Sequence, residues 1–218
     1  AHRRQPATRR HDHAGRPLHR LGKEGRDIIR AQFGDTVIRI VLACTDGTAE
    51  GKASHADPEA RRADWVRRKQ AYLGHLAEAD ADVLLLTGFD WDGDGTALSA
   101  FADLLTAAGM DYPHRHASQP NGGMATGLDL DGDGRLGTAD DAQGFGLFTG
   151  QNGMAVLSRL PLGAVTDHSA ELWRDLPGNL MPPAAPEVVA AQRLSSTAHW
   201  EVPVTTPSGP VTLLAWSA

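Results

Sequence analysis

The segment Asp129–Asp140, DLDGDGRLGTAD, places carboxylates at positions 1, 3, 5 and 12 of a twelve-residue stretch and a glycine, Gly134, at position 6. Carboxylates at that spacing suit one chemistry, wrapping a hard divalent cation in oxygen. Calcium takes about six to eight oxygen ligands, which a short turn supplies only when several carboxylates converge. Asp129, Asp131 and Asp133 offer three, the carbonyl of Arg135 a fourth, a water near Gly137 a fifth, and Asp140 closes the shell while Gly134 permits the sharp turn. The expected metal ligands are therefore Asp129, Asp131, Asp133, Arg135 and Asp140, around Ca²⁺. An Asp/Gly-rich surface turn that holds no ion has the same composition.

A second acidic run, Asp90–Gly95 (DWDGDG), repeats the first half of this pattern. Its ninth and twelfth positions are Leu98 and Phe101, so the closing carboxylate is missing. The other reading is a strand-to-helix turn, in which Asp94 or Thr96 caps a helix carrying Leu98, Phe101, Leu104 and Leu105 and ended by Gly109.

Around these acids the chain reads as strands and helices in alternation. Thr36–Cys44, TVIRIVLAC, is rich in β-branched residues and reads as a buried strand. Asp57, with Pro58 in the first turn, starts a helix running to about Ala79, with Trp65, Val66, Leu73 and Leu76 as its apolar stripe. Asp82–Asp90, DVLLLTGFD, is a short apolar run with a sharp polar end, as in a strand covered on both faces. Gly153–Leu162 reads as another strand, stopped by a turn at Arg159–Pro161. Leu176–Pro186 is too rich in Pro and Gly for either element. STAHWEVPVTT and VTLLAWS flank the turn Pro207–Pro210 and read as an antiparallel hairpin. No P-loop, dinucleotide fingerprint, nucleophile elbow or zinc spacing is present.

The bounds are those of one domain. With 218 residues, 41% of them hydrophobic, the chain can bury one sizeable core. No apolar run approaches the roughly 20 residues of a membrane span, and a lone cysteine, Cys44, excludes an internal disulfide. The first residue is Ala1, which suits removal of a secretory signal, and a calcium loop of modest affinity suits a periplasmic or secreted location. Charge is uneven: residues 1–30 hold nine of the 21 Lys/Arg and three of the 27 acids, leaving 12 against 24. Residues 1–32 therefore read as a basic, flexible tail, able to meet nucleic acid or an anionic surface, and 33–218 as the folded domain.

Together, ADVLLLTGFDWD, PNGGMATGLDLDGDGRLGTADDAQGFG, GQNGMAVLSRLPL and the ending LLAWSA resemble the endonuclease/exonuclease/phosphatase family, which shares the fold of DNase I. The resemblance implies an α+β fold, a DNase I-like α/β/β/α sandwich, here its N-terminal portion and incomplete at the C-terminal end. It also implies a phosphoesterase site at the strand ends, where an acid after the second strand holds Mg²⁺ and an Asp/His pair orients water. The chain departs from that pattern. Gly88 stands where the metal acid is expected, no Asn lies near Cys44–Asp46, and the later Asp-x-Asn and Asp-His motifs are absent. Asp90 and Asp46 are the remaining catalytic candidates; in a regular strand Asp90 would share a face with position 88, about 6–7 Å away. His199, beside Trp200, reads as a packing residue.

Two functions compete. One is a degenerate or truncated phosphoesterase-fold protein that binds calcium and has a binding or structural role in an assembly, a protein partner covering the incomplete sheet. The other is a Mg²⁺-dependent phosphodiesterase, phosphatase or nuclease of the family, working through Asp90 and Asp46.

Overall fold

The computed structural model describes residues 26–33, 36–44 and 70–217. Asp46 and the start of the helix expected from Asp57 lie outside these residues. The alternation of β-branched residues in TVIRIVLAC forms β2 (Thr36–Cys44), which pairs antiparallel with β1 (Arg26–Phe33) and parallel with β3 (Val83–Phe89). β1 begins inside the stretch read as a basic tail. Flanking arginines give RDIIRAQF the composition of a solvated segment, yet its register with β2 runs unbroken from Arg26↔Ala43 to Phe33↔Thr36. Charged residues are common on such edge strands.

The helix described over 70–79, α1, leads into β3 through Asp80, and α2 (Thr96–Ala107) follows it. β4 (His114–His116) and β5 (Gly153–Ser158) complete a five-stranded sheet in the order β1-β2-β3-β5-β4. β5 stops at Ser158, earlier than Leu162, because Ser158 Oγ and Leu160 bond to one another and turn the chain. Beyond it lie β6 (Thr166–Asp167), a 3₁₀ turn at Trp173–Asp175 and α3 (Pro186–Ala191). β7 (Ala198–Thr206) and β8 (Gly209–Ser217) form the expected hairpin around the two-residue turn Pro207–Ser208, and with β6 they make a second sheet.

The pleat of β3 and β5 divides the core in two. Leu84, Leu86, Ala155 and Leu157 point to the helices, meeting Leu76, Leu98, Ala102 and Leu105. Val83, Met154 and Val156 point the other way, against Ala198, Trp200, Val202 and Val204 of the second sheet. Helices thus cover one face of the first sheet and the second sheet covers the other, a layered α+β sandwich. The outer face of the second sheet displays Leu214 and Trp216, 72% and 60% exposed. No helix among the described residues is long and apolar enough to cross a membrane.

At the edge of the second sheet, His168 extends the β6–β7 ladder, its N–H on His199 O at 2.8 Å. Its Nδ1 meets Glu171 Oε1 at 2.6 Å and its Nε2 faces Glu201 Oε1 at 3.6 Å; the His199 ring lies 5.3 Å away. The Glu171 hydrogen bond, reinforced by the charges of Glu171, Glu201 and Asp167, raises the His168 pKa against desolvation. A raised histidine pKa means that the folded state holds the proton more tightly, so its contribution is complete below the unfolded value of about 6.5 and is lost as pH rises through the folded pKa. The stability advantage of the wild type over Glu171→Gln should therefore be present in mild acid and vanish in alkali, as urea titrations across pH will show. An advantage independent of pH would sink this account.

Candidate metal loop and strand-end site

Asp129, Asp131 and Asp133 converge as their spacing requires, each offering a ligating oxygen within 4.8 Å of the others. Left-handed glycines make this turn: Gly132 has φ +76° and Gly134 φ +82°, conformations that cost glycine nothing. The carboxylates are oriented by the backbone they enclose. Asp129 accepts Gly132 N–H on Oδ1 at 2.7 Å and Gly134 N–H on Oδ2 at 2.9 Å, while Asp131 accepts Asp133 N–H at 3.1 Å and Asp133 accepts Arg135 N–H at 2.8 Å. The Asp133 N–H lowers the proton affinity of Asp131, but desolvation, the Asp133 charge and contact with the Asp129 carboxyl outweigh it and leave the pKa raised. Three crowded carboxylates are a donor set suited to a hard cation.

Asp140 lies in the 3₁₀ turn Ala139–Asp141, exposed and outside that converging group. The acid that turns inward is its neighbour. Buried Asp141 accepts Leu130 N–H on Oδ1 at 2.8 Å, and both the N–H and the hydroxyl of Thr138 on Oδ2 at 3.0 Å. The Leu130 and Thr138 N–H groups hold its carboxyl below the usual range. The signal was legible as Thr138-x-x-Asp141, the spacing of a capping box.

A ladder of short contacts ties this loop to the strand ends. Thr126 Oγ1 donates to Asp141 O, Ala125 bridges Ala142, and Gly123 N–H donates to Gly144 O. Asn121, fully buried, is the hub: Nδ2 donates to Ser169 O and Ser195 O, and Oδ1 accepts from Arg193 Nη1.

At the carboxyl end of β3 the register slips between Thr87 and Phe89, which pair with the consecutive residues Met154 and Gly153. Gly88 is the extra residue of this bulge, at φ +68°. The bulge breaks the strand's alternation and Asp90 lies beyond the last strand residue, so the same-face relation between positions 88 and 90 does not hold. Asp90 is exposed, and its Oδ1 accepts Asn152 N–H at 3.0 Å. Asn152 itself sits at φ +57°. The two following acids serve the helix: Asp92 accepts Gly95 N–H at 3.0 Å and Ala97 N–H at 2.6 Å, and Asp94 accepts Thr96 N–H at 2.9 Å. Asp92 thus joins Asp94 in capping α2, where Asp94 or Thr96 alone was expected, because Gly95 at φ +78° turns the chain back over it. Beside this turn is a recess of about 270 Å³ lined by Trp91, Asp92, Asp94, Leu98, Arg115 and His116. Burial lowers the pKa of His116, whose ring stands edge-on to Trp200 at 4.9 Å. His199 lies on β7, the middle strand of the second sheet, opposite Trp216 of β8 and with its ring 5.3 Å from that of His168; it is not part of the acidic cluster.

Among the described residues the group of three carboxylates close enough to share an ion is Asp129, Asp131 and Asp133, not the acids that follow β3. Comparison with curated proteins and with solved structures gave no match. The profile of the Endonuclease/Exonuclease/phosphatase family matches residues 33–211, a span that takes in β2 to β7, the strand end and the acidic loop. The chain belongs to the endonuclease/exonuclease/phosphatase family and has its DNase I-like fold.

Proposed function

We propose that this chain is a phosphoesterase-fold protein that binds Ca²⁺ at residues 129–140 and serves as a binding module whose hydrolytic equipment is degenerate. Enzymes of the family usually use Mg²⁺. The observation that carries the proposal is where the acids converge: three carboxylates meet in the loop, while Gly88 sits in a left-handed bulge at the strand end. Asp129, Asp131 and Asp133 hold the ion, with the Arg135 carbonyl adding to the shell and Asp140, which lies outside the converging group, left out of it. Bound calcium supplies charge neutralisation that orders the loop and, through Asp141 and the 122–126 ladder, the strand ends. A loop of this kind suits a compartment rich in calcium, the periplasm or the exterior. The exposed Leu214 and Trp216 support a protein partner on the outer face of the second sheet.

Titration calorimetry of chelator-treated protein should show one calcium site, weakened roughly 100-fold or more in Asp131→Ala. The affinity should fall as pH drops into the carboxylate range, because the proton Asp131 holds must leave before the ion enters. Saturating calcium should raise the melting temperature, since a ligand at about a hundred times its Kd adds roughly 2.7 kcal/mol. Absence of calcium heat in the wild type, or unchanged binding in Asp131→Ala, refutes the proposal.

A further inference from the structure

Three large apolar side chains stand in solvent on one short loop: Phe145 is 62%, Leu147 80% and Phe148 50% exposed. Their backbone cannot fold them away. A Cβ at Gly144 would stand 1.8 Å from Ser196 O, and one at Gly123 1.9 Å from Phe148 O, so the loop is packed backbone against backbone. Gln151 Oε1 accepts Leu147 N–H at 2.6 Å and fixes the tip. A rigid mount presenting an apolar tip is the anatomy of an interaction site.

Its neighbours are acidic. Trp91 N–H donates to Gly150 O at 2.8 Å and Asn152 N–H to Asp90 Oδ1 at 3.0 Å, which brings the exposed acids Asp90, Asp92 and Asp94 beside the loop, with Arg115 the cation lining the recess there. A second copy would set the same acids against one another, which like-charge repulsion opposes. The occupant that fits is basic and carries apolar anchors. The chain holds such a segment at Arg16–Lys23, RPLHRLGK, where Leu18 and Leu21 alternate with Arg16, Arg20 and Lys23.

Topology puts that segment within reach. β1 begins at Arg26, which pairs with Ala43; Ala43 pairs with Leu86, and Leu86 with Ala155. Residues 1–25 therefore join the sheet at the end where Asp90 follows β3 and the apolar loop precedes β5. Three strand spacings separate β1 from β5, roughly 14 Å. The five to eight residues between Arg26 and Leu21 or Leu18 span roughly 17–28 Å when extended. We propose that Arg16–Lys23 docks on Phe145, Leu147 and Phe148 with its cations against Asp90, Asp92 and Asp94.

Limited trypsin digestion of the full chain, followed by mass spectrometry, tests this at the Arg20–Leu21 bond, with cleavage after Arg9 and Arg10 as the internal standard. Cleavage at Arg20 should be about tenfold faster in Leu147→Ser/Phe148→Ser, whose exposed positions leave the core intact, and in Leu18→Ser. About 0.5 M salt should speed the wild type likewise. Equal cleavage at Arg20 in the wild type and both variants overturns the proposal. So does protection that fades on dilution, which would assign the contact to a second copy.

Discussion

Asn121→Leu should cost about 3–5 kcal/mol of folding stability, the largest single-residue loss expected outside the apolar core. Leucine matches asparagine in bulk but neither donates nor accepts. Ser169 O and Ser195 O would lose donors now at 2.8 and 2.5 Å, and the half-buried guanidinium of Arg193 would lose an acceptor at 2.6 Å. Each buried polar group left unpaired costs about 1–3 kcal/mol, more where it is charged. The consequence reaches beyond stability. Asn121 O accepts Gly144 N–H at 3.1 Å and Met124 N–H at 3.0 Å, so the same residue anchors both the acidic loop and the apolar tip. Urea unfolding should show the lower midpoint, and calcium affinity should fall with it although no ligand has been touched. A loss below about 1 kcal/mol would show that water replaces the amide and that the two loops stand without it.

How legible all this was in the sequence depends on the range of the interaction. The strands β2, β3, β7 and β8 follow from runs of β-branched residues, and the acidic loop from four carboxylates within twelve positions, all local signals. β1 was hidden because its arginines belong to an edge strand, where charge and strand pairing coexist. The bulge at Gly88 could not be read, since one glycine in a strand is compatible with regular pairing and only the partner's register reveals the slip. The hub at Asn121 joins residues 48, 72 and 74 positions away, so nothing near it in the chain announces its role. Asp141 lies between these cases: its cap spacing is local, but that it, rather than Asp140, turns inward is decided by the backbone N–H of Leu130.

Gly88→Glu should leave phosphodiester hydrolysis at background, although it returns an acid to the position where the family resemblance expects one. Position 88 is the extra residue of a bulge at φ +68°, where a side chain with a Cβ costs about 1–2 kcal/mol. Strain favours a local rearrangement over a fixed ligand, and a metal acid displaced by even about 1 Å loses much of its effect. The acid would also stand nearly alone. Asp90 has one carboxylate oxygen engaged by Asn152 N–H, and Asp92 spends both of its oxygens on the start of α2. An electrostatic element of this kind contributes about 10²–10³ in rate only when the rest of the constellation is in place. The wild type and Gly88→Glu should therefore turn over a nitrophenyl phosphodiester equally slowly with Mg²⁺ or Mn²⁺, within about tenfold of the metal-only control. Robust turnover by the wild type, abolished in Asp90→Ala, would make Asp90 the working metal acid and restore the hydrolase reading. Turnover gained by Gly88→Glu would place the remaining machinery intact and reduce the degeneracy to one residue.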